Sequence, residues 1–334
     1  MQSATLGKTG LLVSRLGVGG SAFGGGLFHR DDRETLALLD EGIGRGINFI
    51  DTSDNYSMGR SEALIGRAVR GRRAGLVIAT KGGACFTKTG RLALAARPVI
   101  RPLRPLLAPW RRWLNLQRDR HKRYAYDAAS LRRALEASLR RLGTDYVDVY
   151  QLYNPTPASG GLEEAFEFLE RAKSEGKARA IGITVNHVED ALGILGRWTP
   201  DTIQFPMSML DRSAREQLLP RCARDGIGLI ARSVLAQGLL TDARGHVMAD
   251  ESSHIDLEKL ARWRTECDAL RVLVRPGRTL AQAATRYVWQ QREVAVVLVG
   301  VVGSEQLREC LGAASALPLD VGDMARIEEI SKGI

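Results

Sequence analysis

The sequence predicts a (β/α)8 barrel, and three observations carry that expectation. Eight short apolar runs alternate with amphipathic helical patterns along 334 residues, the signature of repeated βα units around a parallel sheet. Glycine closes the helical patterns as a C-terminal stop. No G-x-G-x-x-G follows the first run, which argues against an open dinucleotide-binding sheet. Eight units in roughly 300 residues suit closure into a barrel.

The predicted strands are "RLGVGG" (15–20), "INFIDT" (47–52), "LVIATK" (76–81), "VDVYQL" (147–152), "ARAIGIT" (178–184), "TIQFPM" (202–207), "IGLIARSV" (227–234) and "VAVVLVG" (294–300). Each is short and apolar, as a strand covered on both faces should be. Between them, residues 32–46, 129–143, 162–177 and 214–226 repeat apolar side chains at spacings of three and four, the helical period. Before the first strand, "ATLGKTGLLVSRL" reads as a β-hairpin turning at Gly-Lys-Thr-Gly, placed to cap the bottom of the barrel. The whole chain, 1–334, is expected to form one barrel domain.

One segment stands outside the repeat. Residues 88–125 hold eleven Lys and Arg against a single acid, Asp119, and the rest of the chain balances at 37 basic and 37 acidic residues. The net charge of +10 thus belongs to an insert after the third strand, on the face where barrel chemistry collects. Its prolines, Pro98, Pro102, Pro105 and Pro109, exclude one continuous helix. Arginines mixed with Trp110 and Trp113 fit a lid over an anionic substrate or a peripheral foot on acidic lipid. A solvated surface loop fits them as well. Nothing else in the chain supports nucleic-acid binding.

Other features exclude whole classes. The four cysteines, Cys85, Cys222, Cys267 and Cys310, are widely spaced and form neither a metal-binding pattern nor a disulfide framework. With no secretory leader and no long uncharged apolar run, the expectation is a cytoplasmic protein without a metal.

Barrel chemistry gathers at the C-terminal ends of strands, so polar residues there are the candidates. They are Asp51 after strand 2, Tyr56 on the following loop, Lys81 ending strand 3, Tyr153 and Asn154 after strand 4, Gln204 in strand 6, and Arg232 and Ser233 in strand 7. Taken singly, an aspartate at a strand end is more often a cap and a loop tyrosine more often packing. Together they have a chemical sense. A phenol can give a proton to a carbonyl oxygen, a neighbouring ammonium would ease its ionisation, and a carboxylate would keep that ammonium charged.

The stretches "FIDTSDNYSMGRSEALIG", "VIATKGG", "ALEASLRRLGTDYVDVYQL", "GKARAIGIT" and "ARSVLAQGLLTD" resemble the aldo-keto reductase superfamily over most of the chain, failing in the insert and around 242–275. That resemblance implies an NAD(P)-dependent oxidoreductase interconverting an aldehyde or ketone, sugars included, with its alcohol. It assigns Tyr56 as the general acid/base and Lys81 and Asp51 as its tuning pair. Where the family commonly has histidine in "YQLH", this chain has Tyr153, which would meet the substrate oxygen. His29, in the loop after strand 1, is a weaker replacement. The departure also leaves open a cofactor-binding redox sensor or scaffold with little turnover.

For the cofactor, the resemblance implies contacts from Gly20, Asp51, Thr184, Gln204, Arg232, Ser233, Leu235, Gly238, Gly300, Gln306 and Glu309. Gln204 matches the residue that holds the nicotinamide carboxamide. Thr184 and Val185 stand where the family has a Ser-Asn pair. Residues 231–240 would wrap the pyrophosphate. At the adenine end, Gly300, Val301 and Gln306 replace groups that often meet a 2'-phosphate, so NAD(H) becomes a serious alternative to NADP(H). Arg308 or the insert could still supply a charge.

Overall fold

In a computed structural model, which describes residues 1–24, 31–87, 122–241 and 257–332, eight parallel strands close into a barrel. They are β3 (Leu16–Gly19), β4 (Phe49–Asp51), β5 (Val77–Gly82), β8 (Val147–Tyr153), β9 (Ala178–Thr184), β10 (Thr202–Pro206), β11 (Gly228–Arg232) and β12 (Val294–Gly300), with β12 pairing back onto β3. Every predicted strand lies within two residues of its expected bounds. Their near-continuous burial explains why: a strand under helices outside and side chains inside has no polar face.

The helices follow local rules. Asp31 and Asp127 accept hydrogen bonds from Arg33 N and Ser130 N at the starts of Asp32–Gly44 and Ala128–Leu142, and Thr279 with Gln282 forms a capping box for Leu280–Trp289. Gly143 and Gly226, at φ of 66° and 71°, end Ala128–Leu142 and Leu218–Asp225 in the left-handed conformation glycine tolerates. The helix expected over 214–226 begins only at Leu218. Pro220 confines that start, because proline is accommodated only in a first turn.

The hairpin, β1 (Ser3–Thr5) with β2 (Leu12–Ser14), closes the N-terminal end of the barrel as expected. Leu6, Leu11 and Val13 join Phe49, Val77, Val149, Ile230 and Val296 in one buried cluster, and Lys8 N–H donates to Gly226 O at 2.9 Å. Gly7 sits so close to β11 that an added Cβ would lie 2.3 Å from Gly228 N. The larger cluster packs between sheet and helices. With the bottom plugged, the open end is the one where the strands terminate.

Beside that end, β6 (Ala84–Phe86) and β7 (Lys122–Tyr124) pair as an antiparallel ribbon at the two edges of the insert. The basic lid or membrane foot expected from 88–125 falls almost wholly on 88–121, outside the described residues, as does His29. Among the described residues no helix is long and apolar enough to cross a membrane, and no cluster of three metal-ligating side chains occurs.

Candidate active site

Strand register brings the candidate residues to one rim. Gly19 pairs with Asp51, Asp51 with Ala79, Lys81 with Gln151, Tyr153 with Thr184, and Thr184 with Gln204. Asp51, Lys81, Thr184 and Gln204 are buried, whereas Tyr56 and Tyr153 are partly exposed above them. All six non-glycine residues with positive φ among those described lie in loops leaving this rim: Ser57 and Met58, Asn154, and Ser233, Ala236 and Gln237. Left-handed backbone costs of order 1–3 kcal/mol per residue and concentrates where a loop must hold a functional shape.

Lys81 Nζ donates to Asp51 Oδ1 at 2.5 Å and to Thr52 O at 2.7 Å. Gln204 Nε2 donates to the same Asp51 oxygen at 2.8 Å. Asp51 therefore joins the catalytic candidates to the cofactor candidates. Lys81 Nζ lies 5.1 Å from the Tyr56 ring centroid, and the Tyr56 and Tyr153 rings meet edge to face at 6.5 Å. Tyr126 Oη donates to Tyr153 O at 2.9 Å, fixing the backbone that carries Tyr153.

Burial pushes the Lys81 ammonium below the usual amine range, and the charge and hydrogen bond of Asp51 push it back up. The phenol of Tyr56 departs from expectation. Instead of being eased toward phenolate by Lys81, it is held well above its ordinary value, first by burial, then by Tyr153 and Asp51. The cation that pulls it down is Arg232. Lys81 spends its hydrogen bonds on Asp51 and Thr52, so burial and acidic neighbours win. The result is a phenol that keeps its proton at neutral pH, suited to giving it to a nascent alkoxide.

The expected cofactor contacts divide into groups. Gly20 is buried against Ser61 and Asp51, where a Cβ would come within 2.7 Å of Ser61 Oγ. Arg232 is clamped by Val185 O at 2.8 Å and Asn186 Oδ1 at 2.6 Å, and donates to Ser233 Oγ at 3.2 Å. Ser233, Leu235 and Gly238 follow on one tight turn, Gly238 at φ 91°. Gly300, Gln306 and Glu309 belong to a second region, where β12 ends and the following helix begins. There Gln306 Oε1 accepts from Val302 N, and Glu309 accepts from Thr279 Oγ1.

Two residues escaped the sequence reading. Asn186 sits one position beyond the expected Ser-Asn site and meets Arg232 through space. Asp54, between Asp51 and Tyr56, was not among the candidates. Its carboxyl is in fact pushed up to about 7 by burial and by Glu62.

Comparison with known proteins agrees with this geometry. The family model described as "Aldo/keto reductase family" matches residues 15–332. Among curated relatives, the NADH-specific methylglyoxal reductase of Escherichia coli (strain K12) is 29% identical over an alignment of 357 residues, covering 100% of this chain and 99% of that protein. L-galactose dehydrogenase of Arabidopsis thaliana is 26% identical, with 97% and 92% covered. Among solved structures, the holo form of aldo-keto reductase AKR11C1 from Bacillus halodurans superposes with a TM-score of 0.76 at 26% identity, covering 99% of this chain and 96% of that one.

Proposed function

Because the chain belongs to the aldo/keto reductase family of oxidoreductases, we propose that it reduces a small aldehyde or ketone to its alcohol, with NAD(H) preferred over NADP(H). The observation that carries this reading is the buried Asp51–Lys81 pair beneath Tyr56 at the open end of the barrel. Tyr56 is the proton donor to the carbonyl oxygen. Its phenol carries a proton at neutral pH and can give it to the oxygen as hydride reaches the carbonyl carbon. Tyr153, beside it, offers a second hydroxyl that holds the substrate oxygen.

The residues at the rim suit a nicotinamide nucleotide. Gln204 Oε1 is buried without a hydrogen-bond partner, while its amide nitrogen is fixed on Asp51. A carboxamide N–H2 is the donor that such an oxygen lacks. On the turn that holds Ser233 and Gly238, the N–H groups of Ala236 and Gly238 bond back to Ser233 O and Leu235 O, and the Ser233 hydroxyl is a donor fit for a phosphate oxygen. Bound there, the nucleotide supplies the hydride.

Three features support the NAD(H) preference. Gly300 brings no side chain, and the Gln306 amide oxygen is engaged by Val302 N. Arg308, the cation nearest in sequence, is bound to both oxygens of Glu41, at 2.7 and 3.2 Å. A 2'-phosphate would have to displace that carboxylate. The relative named NADH-specific points the same way. Methylglyoxal and L-galactose in the relatives' names support small aldehydes, ketones and sugars as the substrates to try. The test is NADH and NADPH oxidation with a panel of such carbonyls. NADH-dependent turnover lost in Tyr56→Phe, with nucleotide affinity kept, is the expected result. Unchanged turnover in Tyr56→Phe would overturn the reading.

A further inference from the structure

Strand β8 ends at Tyr153, and the chain turns at once, with Asn154 in a left-handed φ of 50°. Both polar groups of the peptide joining these two residues are engaged. Asn154 N donates to Thr184 O at 2.8 Å, which continues the pairing of β8 with β9. Tyr153 O accepts from Tyr126 Oη at 2.9 Å, a contact made across 27 residues. Tyr126 lies between β7 and helix Ala128–Leu142, and the chemistry above gives it no part.

Tyr126 is itself firmly held. It is 4% exposed, and its ring lies against Gly83, where an added Cβ would come within 2.8 Å of Tyr126 Cε1. Gly83 also has a φ of 98°, which glycine alone adopts readily. Ala125 N donates to Gly83 O at 2.9 Å, and the Tyr124 ring stacks on the Tyr126 ring with centroids 6.1 Å apart. Burial keeps the Tyr126 phenol protonated, as a donor to a carbonyl must be. On the other side, the Tyr153 ring meets Tyr56 edge to face. A continuous line of contacts thus runs from β7 through Tyr126 and Tyr153 to Tyr56.

We propose that Tyr126 is a positioning residue for carbonyl reduction: the hydrogen bond from its hydroxyl to Tyr153 O fixes the peptide that aims the Tyr153 ring at the substrate oxygen. The idea rests on Tyr153 holding that oxygen, as proposed above. A working site tolerates only about 0.5 Å and 10–20° of misplacement. The Tyr153 hydroxyl stands at the far end of its ring, so a small tilt of the peptide becomes a large displacement of the donor. Asn154 sharpens the need, because a left-handed residue holds its shape only where neighbours enforce it. As negative charge grows on the substrate oxygen, a donor already in place stabilises it without reorganising. Loss of the Tyr126 hydroxyl should therefore slow reduction by about fivefold, the scale of one neutral hydrogen bond.

The experiment is a double-mutant cycle in the full-length protein: parent, Tyr126→Phe, Tyr153→Phe and the two together, assayed for kcat, KM and NADH affinity. Tyr126→Phe keeps the ring, its stack on Tyr124 and its fit on Gly83, and removes only the hydroxyl. The expected result is kcat lowered about fivefold in Tyr126→Phe, with KM and NADH affinity unchanged. In the Tyr153→Phe background the same substitution should cost nothing further, because no hydroxyl is left to aim. A merely structural role would repeat the loss in that background, and that result overturns the proposal. So does full kcat in Tyr126→Phe where Tyr153→Phe is impaired. Full kcat in Tyr153→Phe would instead show that the underlying reading of Tyr153 had failed, and this one with it. An activity-free reading comes from selective 15N-asparagine labelling. The Asn154 amide, identified by its absence in Asn154→Gly, follows the carbonyl that Tyr126 bonds and should shift in Tyr126→Phe. An unmoved resonance would refute the contact.

Discussion

Replacing Asp51 by asparagine should expose how much the site depends on one buried charge. Asp51 and Lys81 side chains are 5% and 1% exposed and 2.5 Å apart, and Gln204 shares the same carboxylate oxygen. Removing one partner of a buried pair costs roughly 3–5 kcal/mol, because the remaining charge is left without compensation. Asparagine can still accept from Lys81 through its amide oxygen, so the lower end applies, about 3 kcal/mol, or roughly two decades in the folding equilibrium.

The pH dependence has a definite sign. Burial already holds folded Lys81 below the usual amine range, and Asp51 is the largest influence raising it. Asp51→Asn depresses it further. Between that depressed value and about 10.4 in the unfolded chain, the unfolded state binds the extra proton, so stability rises with pH. Urea unfolding of parent and variant should show a large deficit at neutral pH that shrinks toward high pH. Equal midpoints at neutral pH, or a deficit that grows with pH, would refute the reasoning.

Other outcomes follow from the same geometry. With Tyr153 holding the substrate oxygen as proposed, Tyr153→Phe should lower kcat for reduction by roughly 10²-fold, leaving NADH affinity intact in a fluorescence titration. Glu41→Gln frees Arg308 from its ion pair and should improve NADPH affinity relative to NADH by about fivefold, the scale of an exposed charge contact. No change in that ratio would place the adenine ribose elsewhere. Arg278, fully buried, donates to Leu273 O and Pro318 O and pairs with Asp323 at 2.9 Å. Arg278→Met should destabilise the protein by roughly 3 kcal/mol, read as a lower urea midpoint, with the nucleotide site unaffected.

The barrel was legible because its rules are local. Runs such as "VAVVLVG" (294–300) are apolar on both faces since both faces are covered, and glycines such as Gly143 and Gly226 mark helix ends by their backbone freedom. The polar strand ends were legible together rather than singly, because residues closing neighbouring strands of one barrel, such as Asp51, Lys81 and Gln204, meet at one rim. What stayed hidden depends on packing between distant segments. Asn186 reads as an ordinary loop residue until the segments after β9 and β11 bring it against Arg232. The direction of the Tyr56 phenol was missed because the sequence names Lys81 as a neighbour but gives neither the burial nor the acidic groups that outweigh it. The buried Arg278–Asp323 pair joins residues whose proximity exists only in the fold.

The most direct test follows a labelled hydrogen. NADH carrying deuterium at the nicotinamide C4, incubated with the protein and a small aldehyde or ketone, should yield an alcohol deuterated on the carbinol carbon, detected by mass spectrometry. Tyr56→Phe should bind the same nucleotide and produce none at a measurable rate. Label transfer at equal rates in parent and Tyr56→Phe would contradict the assignment of Tyr56. Bound NADH with no transfer to any carbonyl of the panel would contradict the oxidoreductase reading of this site.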